Sequence, residues 1–211
     1  MFVNLQLLRW RSLLLALWLA GAAGAAAAKT VLVLGDSLSA GYGIESAQSW
    51  PALLQRRLHS RDPDLSVVNI SISGETTAGG LSRLPTALQR HRPQWVIIAL
   101  GANDGLRGLS LATMRANLSA MIADDRRAGA RTLLVGMMLP PNYGSEYGRA
   151  FAGAFADVAR REKVAFVPFL LAGFADRREA FQPDGLHPTA AYQPAMLDNI
   201  WPALDGLLRQ R

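Results

Sequence analysis

The stretch VLVLGDSLSAGYG, Val31 to Gly43, opens with four uncharged apolar residues and then turns abruptly small and polar. A Val/Leu run without polar alternation suits a strand buried on both faces, and Gly-Asp-Ser straight after it marks a turn at the strand's carboxyl end. Ser37 falls in that turn. A serine there is ordinarily a turn residue or a helix cap, so by itself it carries no chemistry.

The same pattern recurs along the chain. Apolar runs of strand length stand at LSVVNIS from Leu65, WVIIALG from Trp95, RTLLVGMML from Arg131 and VAFVPF from Val164. Helical spacing fills the intervals. WPALLQRRLH places Trp50, Leu53, Leu54 and Leu58 on one face, with Pro51 near the helix start. SLATMRANLSAMIADDRRAG does the same with Leu111, Met114, Leu118, Met121 and Ile122. Segments 146–162 and 188–208 read as helices by the same count, and 77–91 reads as two short pieces broken at Pro85. Five strand–helix alternations predict a three-layer α/β/α fold, flavodoxin-like, with a central, mostly parallel five-stranded sheet and right-handed crossovers. No repeat, long linker or low-complexity segment interrupts residues 29–211, which read as one domain.

Residues 1–28 have a different character. Arg9 and Arg11 precede the uncharged run SLLLALWLAG, and AAGAAAAKT supplies small residues around a cut before Lys29. This is the layout of a cleaved export signal, too short in its apolar core for a membrane span, and it predicts a periplasmic or secreted protein. Losing Arg9 and Arg11 lowers the formal charge from +6 to +4. With no cysteine in the chain, neither a disulfide nor a thiol nucleophile is available, and the core alone must hold the mature protein together. The arginines are scattered singly or in pairs without a basic, aromatic-interleaved stripe, which argues against a nucleic-acid partner.

In an open parallel sheet, ligands bind beyond the carboxyl ends of the strands. The loops expected there are GDSLSAG, SISGETTAGG, GANDGLRG and LPPNYG. Histidine supply is the sharpest filter on what they can do. His59 and His91 lie at polar helix ends; His187, in PDGLHPTAAY, follows Asp184 by three residues and precedes a helix expected to start at Pro188. A carboxylate three residues before an imidazole can take one ring N–H and leave the other nitrogen free to accept a hydroxyl proton. Acyl transfer also needs donors for an oxyanion, and Gly74 and Asn103 directly follow the second and third strands. Each residue alone has a plainer reading: a turn for Gly74, a loop cap for Asn103, a turn end for Asp184. Together they supply a nucleophile, an anion site, a base and an orienting acid at one sheet edge. The small Gly35 and Ala40 are expected to leave room around the attacked carbonyl, and Asp36 to hold the turn that presents Ser37.

GDSLSAGYG, NISISGETT, GANDGLRG and DGLHP resemble the four sequence blocks of the SGNH (GDSL) hydrolases. With WPALLQ, GLSRLP and LPPNYG between them, they resemble in particular the periplasmic acyl-CoA thioesterase I, lysophospholipase and arylesterase type, across residues 30–208. The resemblance implies a serine esterase or thioesterase acting on acyl esters, acyl-CoA thioesters or lysophospholipids. It implies Ser37, Asp184 and His187 as the triad, with the Ser37 amide, Gly74 and Asn103 as the oxyanion hole. Gly105 to Ser110 matches a mobile loop over the acyl chain, in which Leu106 and Leu109 either meet a lipid tail or are ordinary core leucines. It implies no metal or other cofactor, a small-molecule acyl ester or thioester as the partner, no membrane span after signal cleavage, and a monomer. The competing readings are a carbohydrate acetylesterase on the same fold, a metal-dependent phosphoesterase using Asp36, Asn103, Asp104 and His187, and a non-catalytic lipid- or glycan-binding protein.

Overall fold

The structure, a computed structural model, describes residues 29–210. The export signal read at residues 1–28 lies outside the described residues. Five strands form one sheet: β1 (Lys29–Gly35), β2 (Leu65–Asn69), β3 (Trp95–Ala99), β4 (Arg131–Val135) and β5 (Ala165–Val167). Their order is β2-β1-β3-β4-β5 and every pairing is parallel, with Lys29 opposite Leu65 and Val31 opposite Trp95. The expected architecture is therefore present, and its sheet is wholly parallel.

Strand alternation divides the core in two. Val31, Val33, Ile97 and Leu133 face α2 (Trp50–Arg61) and the last helix, α7 (Gln193–Arg209), meeting Trp50, Leu54, Met196 and Ile200. Leu32, Leu34, Val96, Ile98 and Leu134 face the opposite layer. That layer is α3 (Thr77–His91), α5 (Leu111–Arg127) and α6 (Ser145–Glu162), which contribute Leu84, Leu118, Phe151 and Phe155. Two very short helices complete the order, α1 (Ser37–Ala40) after β1 and α4 (Ala102–Leu106) after β3.

Two expectations are corrected. Residues 77–91 are a single helix in spite of Pro85. Pro85 is exposed while Leu84, Ala87 and Leu88 are buried, so the proline ring sits on the solvent side of the helix. The continuous apolar face holds the helix together across the proline. The tail is not helical from Pro188 either. Pro188 forms an isolated antiparallel bridge with Phe181, Ala190–Tyr192 is one 3-10 turn, and α7 starts at Gln193. The helix starts where the next proline takes an early helical position and where the buried Gln193 accepts the Trp50 amide at 3.0 Å.

A buried carboxyl makes the α5–β4 junction sensitive to pH. Asp125 is fully buried, and its Oδ2 accepts the Thr132 hydroxyl at 2.8 Å. Burial pushes Asp125 up to about 7 from 3.8; the Thr132 bond opposes the shift and neighbouring Asp124 adds to it. Between those two values the folded protein keeps a proton that the unfolded chain has released, so stability falls as pH rises through that window. Asp125→Asn keeps an acceptor for Thr132 and removes the charge. Thermal denaturation at about pH 5 and about pH 8 is expected to show a Tm drop smaller by roughly several degrees in the variant. Equal drops in both proteins would clear Asp125.

Candidate active site

β1 ends at Gly35, where the turn leaves no room for a side chain. A Cβ at Gly35 would lie 2.6 Å from the Ser39 Oγ and 2.9 Å from the Ser71 Oγ. The expectation that Gly35 and Ala40 open space for substrate is corrected: neither lines the cleft, and Gly35 makes room for Ser39 and Ser71. Asp36 follows at 2% exposure and caps α1, its Oδ1 accepting the Leu38 amide at 3.0 Å. Ser37 is thereby presented half-buried at the first helical position.

The histidine arrives from the far end of the chain. The Phe181–Pro188 bridge pinches residues 182–187 into a tight loop, closed by the Gln182 amide donating to the His187 carbonyl at 2.8 Å. Arg178 donates to the Gln182 and Pro183 carbonyls at 3.0 and 3.1 Å. Inside the loop, Asp184 Oδ1 accepts the amides of Leu186 and His187 at 2.9 and 3.0 Å, and its Oδ2 meets His187 Nδ1 at 2.7 Å. His187 Nε2 then stands 2.8 Å from Ser37 Oγ. An ionised carboxylate only accepts, so Nδ1 carries the proton and Nε2 is left to accept from the serine hydroxyl.

The two aspartates differ in opposite directions. Burial pushes Asp36 up to about 6, against the Leu38 amide and the His187 imidazole. Asp184 also feels desolvation, which raises it, but the His187 and Leu186 amides and the imidazole outweigh that and hold it down at about 2.

The other wall comes from β2 and β3. Gly74 adopts φ 80° and its carbonyl accepts Arg107 Nη2 at 2.9 Å. Asn103 lies on α4, in place of the expected loop, because the chain starts a short helix immediately after Gly101. Its Nδ2 donates to the Glu75 carbonyl at 3.0 Å and to Asp36 Oδ2 at 3.4 Å, which ties the three strand ends together. Tyr143 and Tyr147 hydroxyls hold the Leu106 and Gly105 carbonyls at 3.1 and 3.2 Å. The cleft beside these residues has about 560 Å³ and an apolar floor of Met137, Leu139, Phe169, Leu171 and Phe181. Leu106 lines it; Leu109 does not, lying 44% exposed outside. Sequence reasoning missed Arg107, Gln182 and the two tyrosines, whose contacts join segments far apart in sequence and so leave no local spacing signal.

The metal-ligand set fails on geometry. Asp104 is buried, with its carboxylate engaged by the Thr77 amide and hydroxyl at 2.9 and 2.5 Å, where it serves the start of α3. Among the described residues no three His, Cys, Asp or Glu side chains group in a way that could hold a metal ion.

The profile of the GDSL-like Lipase/Acylhydrolase family matches residues 33–193, a span that contains every residue of this cluster. The chain belongs to that family. Within it, the chain is 50% identical over 183 residues to Esterase TesA of Pseudomonas aeruginosa, covering 87% of this chain and 91% of that one. It is 42% identical over 184 residues to the Arylesterase of Vibrio mimicus, covering 87% and 92%. Thioesterase 1/protease 1/lysophospholipase L1 of Escherichia coli K12 is 42% identical over 174 residues, covering 82% of each chain. Among solved structures, the crystal structure of TesA superposes with a TM-score of 0.83 at 49% identity, covering 85% of this chain and 99% of that chain. The psychrotrophic esterase EstA from Pseudoalteromonas sp., inhibited by monoethylphosphonate, gives 0.81 at 36% identity, covering 86% and 100%.

Gly74 offers a direct test of the wall's backbone. A Cβ there would touch only Arg107 Nη2 at 3.5 Å, so the cost of Gly74→Ala is conformational and not steric. An alanine held at φ 80° is expected to cost about 1–2 kcal/mol, read as a lower urea midpoint at unchanged m-value. An unchanged midpoint would mean that the loop adopts another conformation at no cost.

Proposed function

We propose that this protein hydrolyses carboxylic acyl esters and thioesters through an acyl-enzyme on Ser37. The observation that carries the reading is the hydrogen-bonded series Asp184, His187, Ser37, with steps of 2.7 and 2.8 Å, at the mouth of an apolar cleft. As Ser37 Oγ attacks the substrate carbonyl, its proton passes to His187 Nε2. Asp184, ionised throughout the working pH range, keeps Nδ1 protonated and faces the imidazolium that forms. The amides of Ser37 and Gly74 supply hydrogen bonds to the oxyanion, and Asn103 Nδ2 joins them by exchanging its 3.4 Å contact with Asp36 Oδ2 for the substrate oxygen. Collapse breaks the carbonyl–leaving-group bond, and the alcohol or thiol leaves with the His187 proton. Water then gives a proton to His187 as it attacks the acyl-serine; the acyl–Oγ bond breaks, His187 returns that proton to Ser37 Oγ, and the acid leaves.

The substrate class follows from the cleft and from the relatives. The relatives are named as an esterase, an arylesterase and a thioesterase/lysophospholipase. The methionine, leucine and phenylalanine floor favours an acyl chain over a sugar, which places carbohydrate esters second. All residues of the proposed mechanism come from one chain, so the reaction needs no side chain from a second subunit. The reading extends to export: residues 1–28 support a cut before Lys29, and no described helix is long and apolar enough to cross a membrane. Mass measurement of the protein recovered from expressing cells is expected to give a chain that starts at Lys29; retention of Met1 would overturn export by cleavage.

Ser37→Ala is expected to abolish hydrolysis of p-nitrophenyl acyl esters, and a fluorophosphonate to label Ser37 in the unmodified protein. Asp184→Asn should lower kcat by about 10⁴ and Asn103→Ala by about 10²–10³, in line with other acyl-transfer sites. EDTA should leave the rate unchanged. Full activity in Ser37→Ala would sink the mechanism.

A further inference from the structure

The series of hydrogen bonds accounts for both nitrogens of His187 but not for its ring face. Tyr42 lies against that face, ring centroid 4.5 Å from the imidazole centroid with the planes at 39°. Tyr42 is 53% exposed, so the contact is not a by-product of core packing. Backbone ties hold the ring in place. The Tyr42 amide donates to the Ser37 carbonyl at 3.2 Å, and the Tyr42 carbonyl accepts Gln182 Nε2 at 2.8 Å. Gln182 in turn donates its own amide to the His187 carbonyl at 2.8 Å. Serine, tyrosine and histidine thus belong to one connected unit, although 140 residues separate Tyr42 from Gln182.

We propose that Tyr42 is a positioning residue for His187. Its ring holds the imidazole plane in line with Ser37 Oγ and favours the cationic form that His187 takes on when it accepts the serine proton. The inference rests on His187 acting as the base in the proposed hydrolysis. The charged groups around the imidazole are accounted for. Asp184 faces it from its own turn, and Asp36 acts on it from the β1–α1 junction. Arg178 has its guanidinium on the Gln182 and Pro183 carbonyls, and Asp176 borders the cleft. The Asp184 carboxylate meets the ring edge at Nδ1. The negative π-face of a phenol faces the ring from a direction that carboxylate cannot occupy, and it attracts a cationic imidazole. An aliphatic side chain at position 42 would fill similar space without that field.

The experiment is the pH dependence of kcat and kcat/KM on a p-nitrophenyl acyl ester for the unmodified protein, Tyr42→Leu, Tyr42→Phe and Tyr42→Trp. Tyr42→Leu is expected to lower kcat by about three- to tenfold and to move the acid limb of kcat/KM down by about half a pH unit. Tyr42→Phe, which keeps a ring, should recover most of both effects. Tyr42→Trp should hold the limb at or above its original position, because indole is the strongest π partner for a cation. If Tyr42 merely lines the cleft, Tyr42→Leu raises KM and leaves kcat and the limb in place, and the inference falls. Should Tyr42→Leu fail to fold, the Phe and Trp profiles decide: a limb that falls in both overturns the proposal. Fluorophosphonate labelling separates the two levels of the argument. An unlabelled Ser37 in the unmodified protein defeats the proposed mechanism, whereas normal labelling with an unmoved Tyr42→Leu profile defeats this inference alone.

Discussion

Burial of β1 on both faces is the constraint on which the rest depends. Val31 to Leu34 have no solvent exposure, and β2 and β3 occupy the two edges, so the strand has no free side. Right-handed parallel crossovers must then leave towards opposite layers on either side of β1 and β3, and a crevice opens where they diverge. Polar residues cannot sit within such a strand, but they must satisfy the chain as it turns at its end. Asp36, Ser37, Gly74 and Asn103 gather there for that reason, before any chemistry is asked of them.

The same corner shows how environment divides one residue type between two tasks. Asp36 is enclosed, caps α1 and receives Asn103, and enclosure raises it to about 6. Asp184 lies in an exposed turn, with two amides and an imidazole on its carboxylate, and it is lowered to about 2. One carboxyl organises the turn beneath the serine. The other sets a fixed negative charge beside the imidazole that, in the proposed hydrolysis, accepts the serine proton. Their separation by opposite shifts is the pattern expected where acid–base roles are divided by surroundings instead of by residue identity.

How far the sequence could be read depended on the range of each interaction. Strand runs, the Trp50 and Met114 helix faces and the Asp184–His187 spacing are local, and each appears where periodicity puts it. Pro85 misled because a proline's cost depends on whether its helix face is wet, and burial is a tertiary property. The late start of α7 depends on Gln193 reaching Trp50, 143 residues away. Gly35 was legible as small but not in purpose: its neighbours Ser39 and Ser71 come together only in the folded turn. Leu106 and Leu109 look alike in sequence, yet Tyr143 anchors the first at the cleft and leaves the second outside.

The sequence by itself determined the layered fold and the family, and it singled out Ser37, Asp184 and His187 as the candidates for the site. Hydrophobic period and short-range spacing are enough for those, since each rests on residues a few positions apart. Only the tertiary structure decided that 150 residues close to 2.8 Å between His187 and Ser37, and that Tyr42 covers the imidazole between them. Those distances follow from packing both faces of the sheet at once, and no local window of sequence contains both faces.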